Sequence, residues 1–197
     1  MSDIDPPNLS SYGPWSAPSI DPFNDGGARC GQLLEAGVFQ YLEARLGQEL
    51  QAALRIGFPD YAAFAVPFAV DWMGRIFAGL ELRSGLTVAL FDVASDDVID
   101  IGAEVFLQEI QQPADFELLF LDLWKEWTAR SGQRSIGYGQ CVGARQPLFA
   151  GGNDSLENME LQDVSVYWSV TAPLLAASRG LPKGAPLPTG KIGQHGE

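Results

Sequence analysis

Large apolar residues between positions 31 and 57 recur at steps of three and four, the spacing of one face of an α-helix. The residues that follow this spacing are Leu33, Leu34, Val38, Phe39, Leu42, Leu46, Leu50, Ala53 and Leu54. Gly47 interrupts the run, and glycine weakens a helix interior because its backbone loses the most freedom on folding. We therefore expect two helices, or one kinked helix, that end near Gly57.

The next apolar run, from Tyr61 to Trp72, contains Pro67 in its middle. Proline has no N–H to donate to a strand ladder and is therefore confined to sheet edges or irregular positions. This run predicts an edge strand or an extended connector rather than a central strand.

Three short β-rich runs follow, at residues 74–78, 86–92 and 98–101. Turn residues separate them, at positions 83–85 and 94–97. A parallel crossover needs a dozen or more residues, so connections this short indicate an antiparallel meander.

The clearest helical pattern extends from Pro113 to Arg130. Its apolar stripe consists of Phe116, Leu119, Phe120, Leu123, Trp124 and Trp127. Proline suits the first turn of a helix, and Gly132 suits the stop at its C-terminal end. We expect this helix to form a main wall of the core.

A last helix is predicted to begin at Asp163, which can cap it, and to run to about Ser178, with a kink at Pro173. Its apolar positions are Val166, Tyr167, Val170, Leu174 and Leu175. Together with the meander, the helical patterns predict an α+β fold in which a small antiparallel sheet packs against several helices in a single domain.

The stretch 141–168 is the most distinctive part of the sequence. Gly151 and Gly152 permit positive φ, and the side chains of Asn153 and Asp154 can hydrogen-bond to neighbouring backbone groups. The stretch has no histidine, no serine nucleophile beside a base and no phosphate-binding lysine. We expect a rigid structural loop between a strand and a helix.

The 197 residues fall within the usual size of one domain. Residues 1–29 are rich in proline and serine and predict an extended arm, and residues 185–197 predict a tail. Residues 30–184 are then one compact unit, made of a helical segment at 30–73 and a larger part at 74–184.

Acidic residues outnumber basic ones by 25 to 12, which gives a formal net charge of −13. A protein of this charge gains nothing from phosphate counterion release and is repelled by anionic lipid. We therefore expect no direct binding to nucleic acid or membranes. A basic protein partner remains open, beside the simpler interpretation that the charge maintains solubility.

No apolar run reaches the length of about 18 residues that would cross a bilayer, and the first residues lack the basic start and apolar core of a signal peptide. Cys30 and Cys141 have no disulfide or metal-ligand pattern. These features predict a cytoplasmic protein with two free, partly buried thiols.

Ten acids and one base, Lys125, lie between Asp92 and Glu126. Acid–base catalysis or metal binding would need two carboxylates in one cleft, whereas these indicate a solvated or protein-binding face. The lone histidine, His195, lies in the predicted tail. We expect no catalytic residue, metal or cofactor, and we expect Arg75 to pair with a core carboxylate such as Asp92.

A spaced motif extends from position 147 to position 168. Its residues are Pro147, Leu148, Phe149, Gly151, Gly152, Asp154, Asn158, Met159, Glu160, Asp163, Val166, Tyr167 and Trp168. With Gly74 and Arg75 at a strand start, the motif resembles the C-terminal domain of type VI secretion immunity proteins that are paired with DNase effectors. The resemblance covers residues 74–184, and residues 30–73 resemble a shortened GAD-like segment that precedes that domain.

The family is similar to the SUKH group of immunity proteins, so the resemblance implies a non-enzymatic α+β protein that binds and blocks a cognate nuclease toxin. Candidate toxin contacts are Asp96, Asp97, Asp100 and Glu104, with Asp154 and Glu157 as second choice. Two alternatives stay open: a regulatory or scaffold module bound to a housekeeping protein, and an enzyme that acts through clustered carboxylates.

Overall fold

The structure is a computed structural model that describes residues 31–82, 85–113 and 115–181. The predicted arm at 1–29, the tail at 185–197, Cys30 and His195 lie outside the described residues.

The main sheet has six strands whose order in space is their order in the chain, and every neighbouring pair is antiparallel. The strands are β1 (Leu33–Leu34), β2 (Phe39–Tyr41), β3 (Ala65–Asp71), β4 (Ile76–Leu82), β5 (Gly85–Asp92) and β6 (Asp97–Asp100). The predicted antiparallel meander is confirmed, because the three β-rich runs correspond to β4, β5 and β6.

Both faces of this sheet are buried, because alternate residues of the central strands enter different cores. In β4 and β5, Ile76, Ala78, Leu80, Ala89 and Phe91 enter the first core, whereas Phe77, Val88 and Leu90 enter the second. A sheet that is apolar on both faces needs a layer of helices on each side.

Four α-helices in the described part of the chain supply these two layers. They are α1 (Ala44–Gly57), α2 (Ala103–Glu109), α3 (Leu121–Ser131) and α4 (Val164–Ser178). Buried residues of α1 and α4 belong to the first core, and those of α2 and α3 belong to the second. The fold is α+β, as predicted.

A small two-stranded sheet lies beside the large one. Its strands are β7 (Gln140–Ala144) and β8 (Met159–Asp163), which pair antiparallel. The backbone N–H of Val142 donates to the carbonyl oxygen of Trp72 at 2.6 Å, which joins β7 to the turn after β3. The loop predicted to reach Asp163 therefore ends earlier, because its last residues form β8.

The helix predicted from position 31 is wrong in its first half. Residues 33–41 instead form β1, a tight turn and β2, in which Ala36 and Gly37 have φ of 60° and 98°. Phe39 and Tyr41 enter the second core, and Gln40, which faces the other way, is also fully buried, so β2 is buried on both sides. The second half is confirmed, since α1 ends at Gly57.

Strand β3 is central and not an edge strand, because it pairs with β2 and with β4. Pro67 is tolerated because β2 pairs only with Ala69, Val70 and Asp71, so the ladder on that side has ended before the proline. The register with β4 also shifts between Pro67 and Ala69.

Helix α3 begins at Leu121 and not at Pro113, and a 3₁₀ turn at Glu117–Leu119 precedes it. The indole of Trp72 donates to the carbonyl oxygen of Leu119 at 2.8 Å, and Arg75 donates to that of Leu118. These two carbonyl groups therefore accept hydrogen bonds from side chains. In a continuous helix they would accept them from backbone N–H groups four residues later. The predicted stop at Gly132 is confirmed by its φ of 75°.

Candidate partner-binding cleft

The loop at residues 145–158, which joins β7 to β8, is held together by the side-chain amide of Asn158. Its Nδ2 donates to the carbonyl oxygens of Gln146 and Asn153, both at 2.8 Å, and its Oδ1 accepts from the backbone N–H of Gln146 at 3.0 Å. A Cβ added to Gly152 would lie 1.9 Å from the carbonyl oxygen of Gln146. The sequence motif therefore forms an ordered loop in which only glycine fits at position 152.

The same loop is attached to the turn between β5 and β6. Pro147 is buried and precedes a 3₁₀ turn at Leu148–Ala150, which ends at Gly151 with φ of 86°. Within that turn, the backbone N–H of Phe149 donates to the carbonyl oxygen of Ala94 at 3.1 Å. The loop and the β5–β6 turn thus form two fixed neighbouring walls.

The motif residues after β8 fix helix α4. Asp163 is its N-cap, and Oδ1 accepts from the backbone N–H groups of Ser165 at 2.8 Å and Val166 at 3.0 Å. These hydrogen bonds, that of Val166 above all, hold the pKa of Asp163 below its ordinary value. The predicted cap is confirmed. Tyr167 and Trp168 then lie buried against the sheet.

Two reactive groups near the motif are held in their neutral forms. Burial raises the pKa of the Cys141 thiol and of the Tyr167 phenol. The charge of Asp71 raises the pKa of Cys141 further, and that of Asp92 raises the pKa of Tyr167 further. Cys141 is a free thiol and is completely buried. Neither side chain is therefore prepared to act as a nucleophile at neutral pH.

A buried ion pair lies beneath the two walls. Arg75 donates to Asp71 Oδ2 through Nε at 2.7 Å and lies 2.5 Å from the same oxygen through Nη2. Asp71 Oδ1 accepts from the backbone N–H groups of Met73 at 3.0 Å and Arg75 at 2.9 Å. Burial raises the pKa of Asp71, whereas the charge of Arg75 and the hydrogen bonds from its side chain and backbone oppose that rise.

The prediction that Arg75 pairs with a core carboxylate is confirmed, but the carboxylate is Asp71 and not Asp92, the example that the sequence suggested. Asp92 instead accepts a hydrogen bond from the backbone N–H of Ala94 at 2.8 Å, at the end of β5. Asp71 lies four residues before Arg75, at the end of strand β3, which the sequence pattern assigned to the sheet edge.

A cleft of about 450 Å³ opens above this pair, between the β5–β6 turn and the loop at 145–158. Arg75 and Asp92 line it from the main sheet, and Tyr167 lines it from α4. Asp97 and Asp154 line it from the two walls. The fold thus brings together two of the acidic residues that the sequence selected, although they lie 57 positions apart in the chain.

Phe120 stands at one side of the cleft and is 46% exposed. Its φ of 49° is unusual for a residue that is not glycine, and the guanidinium carbon of Arg75 lies 4.9 Å from the centroid of its ring. The helical pattern placed Phe120 in the core, and no signal in the sequence distinguished it from its buried neighbours.

The other acids selected from the sequence do not line the cleft. Asp96 pairs with Arg179, and Asp100 accepts from the Thr87 hydroxyl at 2.7 Å. Two more carboxylates lie elsewhere on the surface: Glu104 is exposed on α2, and Glu157 is exposed and pairs with Arg130 at 2.6 Å.

No group of three or more histidine, cysteine, aspartate or glutamate side chains in the described part of the chain is arranged to hold a metal ion. None of the helices within the described ranges is long and apolar enough to span a bilayer.

No protein-family model matches this chain, and no curated protein matches it. Among solved structures, it is similar to the crystal structure of Atu4351 from Agrobacterium tumefaciens, with 12% sequence identity and a TM-score of 0.49. The match covers 72% of this chain and 69% of that chain.

Proposed function

We propose that this protein is an immunity protein: a non-enzymatic inhibitor that binds a nuclease toxin of type VI secretion in the cytoplasm. Binding would block either the active site of the toxin or its DNA-binding surface. Two lines of reasoning support the proposal, the sequence motif and the acidic cleft.

The motif supports it through resemblance. The residues that resemble the immunity family, Gly74, Gly152, Asn158 and Asp163 among them, hold the loop and α4 in place around the cleft. The resemblance therefore concerns a framework of connected residues rather than isolated identities.

The acidic cleft is the observation that carries the proposal. No ion pair joins Asp97 or Asp154 to another described residue, and both are exposed at a concave surface of a chain with net charge −13. A nuclease needs a basic groove to bind DNA. Carboxylates at the mouth of a cleft can occupy that groove in place of phosphate, and opposite potentials accelerate the encounter.

Co-expression with the toxin encoded beside its gene tests the proposal. We expect the protein to restore growth and to form a complex at low salt that weakens as salt is raised. An unrelated acidic protein of similar net charge is the control for non-specific charge effects. A toxin that kills equally well when this protein is present would refute the proposal.

One observation favours the alternative, a regulatory or scaffold module bound to a housekeeping protein. Helix α4 has no charged residue along its length, and Val166 and Val170 are 55% and 57% exposed on it. A charge-free apolar face suits a partner that is not basic. Two results together would support this alternative. The parent chain would bind such a partner and the Val166→Asp/Val170→Asp variant would not, and the toxin would kill cells equally well with and without this protein.

A further inference from the structure

We infer that the cleft receives one arginine side chain of the toxin, with its guanidinium group between Asp97 and Asp154 and against the ring of Phe120. This inference rests on the proposed function and specifies the chemistry of the contact.

The lining of the cleft is both apolar and acidic. Ile99, Leu123 and Leu148 contribute apolar walls, and the carboxylates lie among them. An arginine or lysine side chain matches this lining, because its stem is apolar and its end group is positively charged. A purely apolar side chain would leave the carboxylates unpaired, and an acidic one would be repelled by them.

The charge of the cleft favours a cation. Arg75 is the basic residue among the lining residues, and Asp71 already neutralises it from below. Asp92, Asp97 and Asp154 therefore leave the cleft with a negative balance. A cation from the partner supplies the missing charge, and the partly desolvated setting strengthens the attraction beyond that of a surface pair.

The ring of Phe120 and the two carboxylates favour arginine over lysine. Phe120 already stacks against one guanidinium, that of Arg75, and its exposed part leaves room for another. A planar guanidinium with five donors can stack on the ring and still reach two carboxylates, whereas an ammonium group has three donors and no plane.

The first test measures toxin affinity for the full chain and for Asp97→Asn/Asp154→Asn. We expect binding about 30-fold weaker or more, because a cation would lose both of its carboxylates. The matched control is Asp60→Asn/Glu81→Gln, which removes the same charge from two exposed residues outside the cleft. It should weaken binding by less than about threefold. Unfolding midpoints equal to that of the parent chain establish that the variants fold.

The second test identifies the toxin residue. Each arginine of the toxin surface is replaced by lysine and by alanine, and each replacement is measured against both the parent chain and Asp97→Asn/Asp154→Asn. Replacement of one arginine by alanine should weaken binding to the parent chain but not to Asp97→Asn/Asp154→Asn. Replacement of that arginine by lysine should not restore the affinity for the parent chain. Phe120→Leu, which keeps an apolar side chain without the ring, should also weaken binding of that toxin.

The two hypotheses fail in different ways. If the parent chain neither binds nor neutralises the toxin, the proposed function is wrong. If it does both, but the cleft variant binds as tightly as the control variant, the cleft inference alone is wrong. Full rescue by lysine at the coupled position would overturn the choice of arginine.

Discussion

The indole Nε1 of Trp168 donates a 2.6 Å hydrogen bond to the carbonyl oxygen of Gly74, so helix α4 is joined to the turn before strand β4. Both residues are buried in the first core or at its border, and 94 positions of the chain separate them. The last residue of the sequence motif therefore contacts Gly74, which gives the occurrence of Gly74 together with the motif a structural reason.

Gly74→Ala should destabilise the protein by more than the cost of placing alanine at a positive φ. The residue has φ of 78°, and an added Cβ would lie 2.9 Å from Cys141 Sγ and 3.1 Å from Tyr167 Cδ1. We expect about 1–2 kcal/mol from the left-handed backbone and about 1–3 kcal/mol more from overpacking. Gly132→Ala is the control, since Gly132 has φ of 75° and nothing within 4 Å. Urea unfolding measures both, and equal losses would contradict the role given to this contact.

Arg75→Met should cost about 3–5 kcal/mol at pH 7, because it leaves the Asp71 carboxylate buried without its counter-charge. Arg145→Met is the control: its ion pair with Glu160, at 2.7 Å, is exposed and should contribute less than about 1 kcal/mol. Urea unfolding measures both variants. Similar losses of unfolding free energy would show that the buried pair stabilises the fold no more than the exposed one.

The deficit of Arg75→Met should shrink as the pH is lowered from 7 towards 5. Burial raises the pKa of Asp71, and removal of the guanidinium removes the main group that opposes the rise. The folded variant then binds a proton more readily than the unfolded chain does, so its stability increases as pH falls. Unfolding curves at several pH values measure the effect, and a deficit that is independent of pH would contradict it.

Glu157 should titrate at a pKa of about 2, because the hydrogen bond from Arg130 favours its ionised form. Its pKa is depressed below the ordinary value of 4.5, so the stabilisation is present above that value and is lost as pH falls through about 2. A carbon-detected NMR titration of the Glu157 carboxyl measures this. Arg130→Gln should return the pKa towards 4.5, and Lys125→Gln, at a separate ion pair, should leave it unchanged.

Sequence patterns predicted the parts of the fold that depend on neighbouring residues. The meander β4–β6 follows from short connections, and the cap at Asp163 and the stop at Gly132 follow from local backbone chemistry. Strand β2 could not be recognised in this way. It is a strand because Phe39–Tyr41 pairs with Ala69–Asp71, about thirty residues away, while its local spacing favours a helix.

The candidate site shows the same division. Asp97 and Asp154 could be selected from the sequence as exposed acids, but their position on facing walls depends on the hydrogen bond between Phe149 and Ala94. The exposure of Phe120 follows from side-chain hydrogen bonds to carbonyl groups at positions 118 and 119, which a helical pattern does not reveal.

The buried pair of Asp71 and Arg75 has a consequence for how such a protein can evolve. The pair closes the bottom of the cleft with its own charges balanced, whereas Asp97 and Asp154 are exposed and hold no described ion partner. A substitution at the rim can therefore change the charge of the rim without disturbing the core beneath it. For the proposed immunity protein, the changes that would select a different toxin are therefore separate from those that fold the chain.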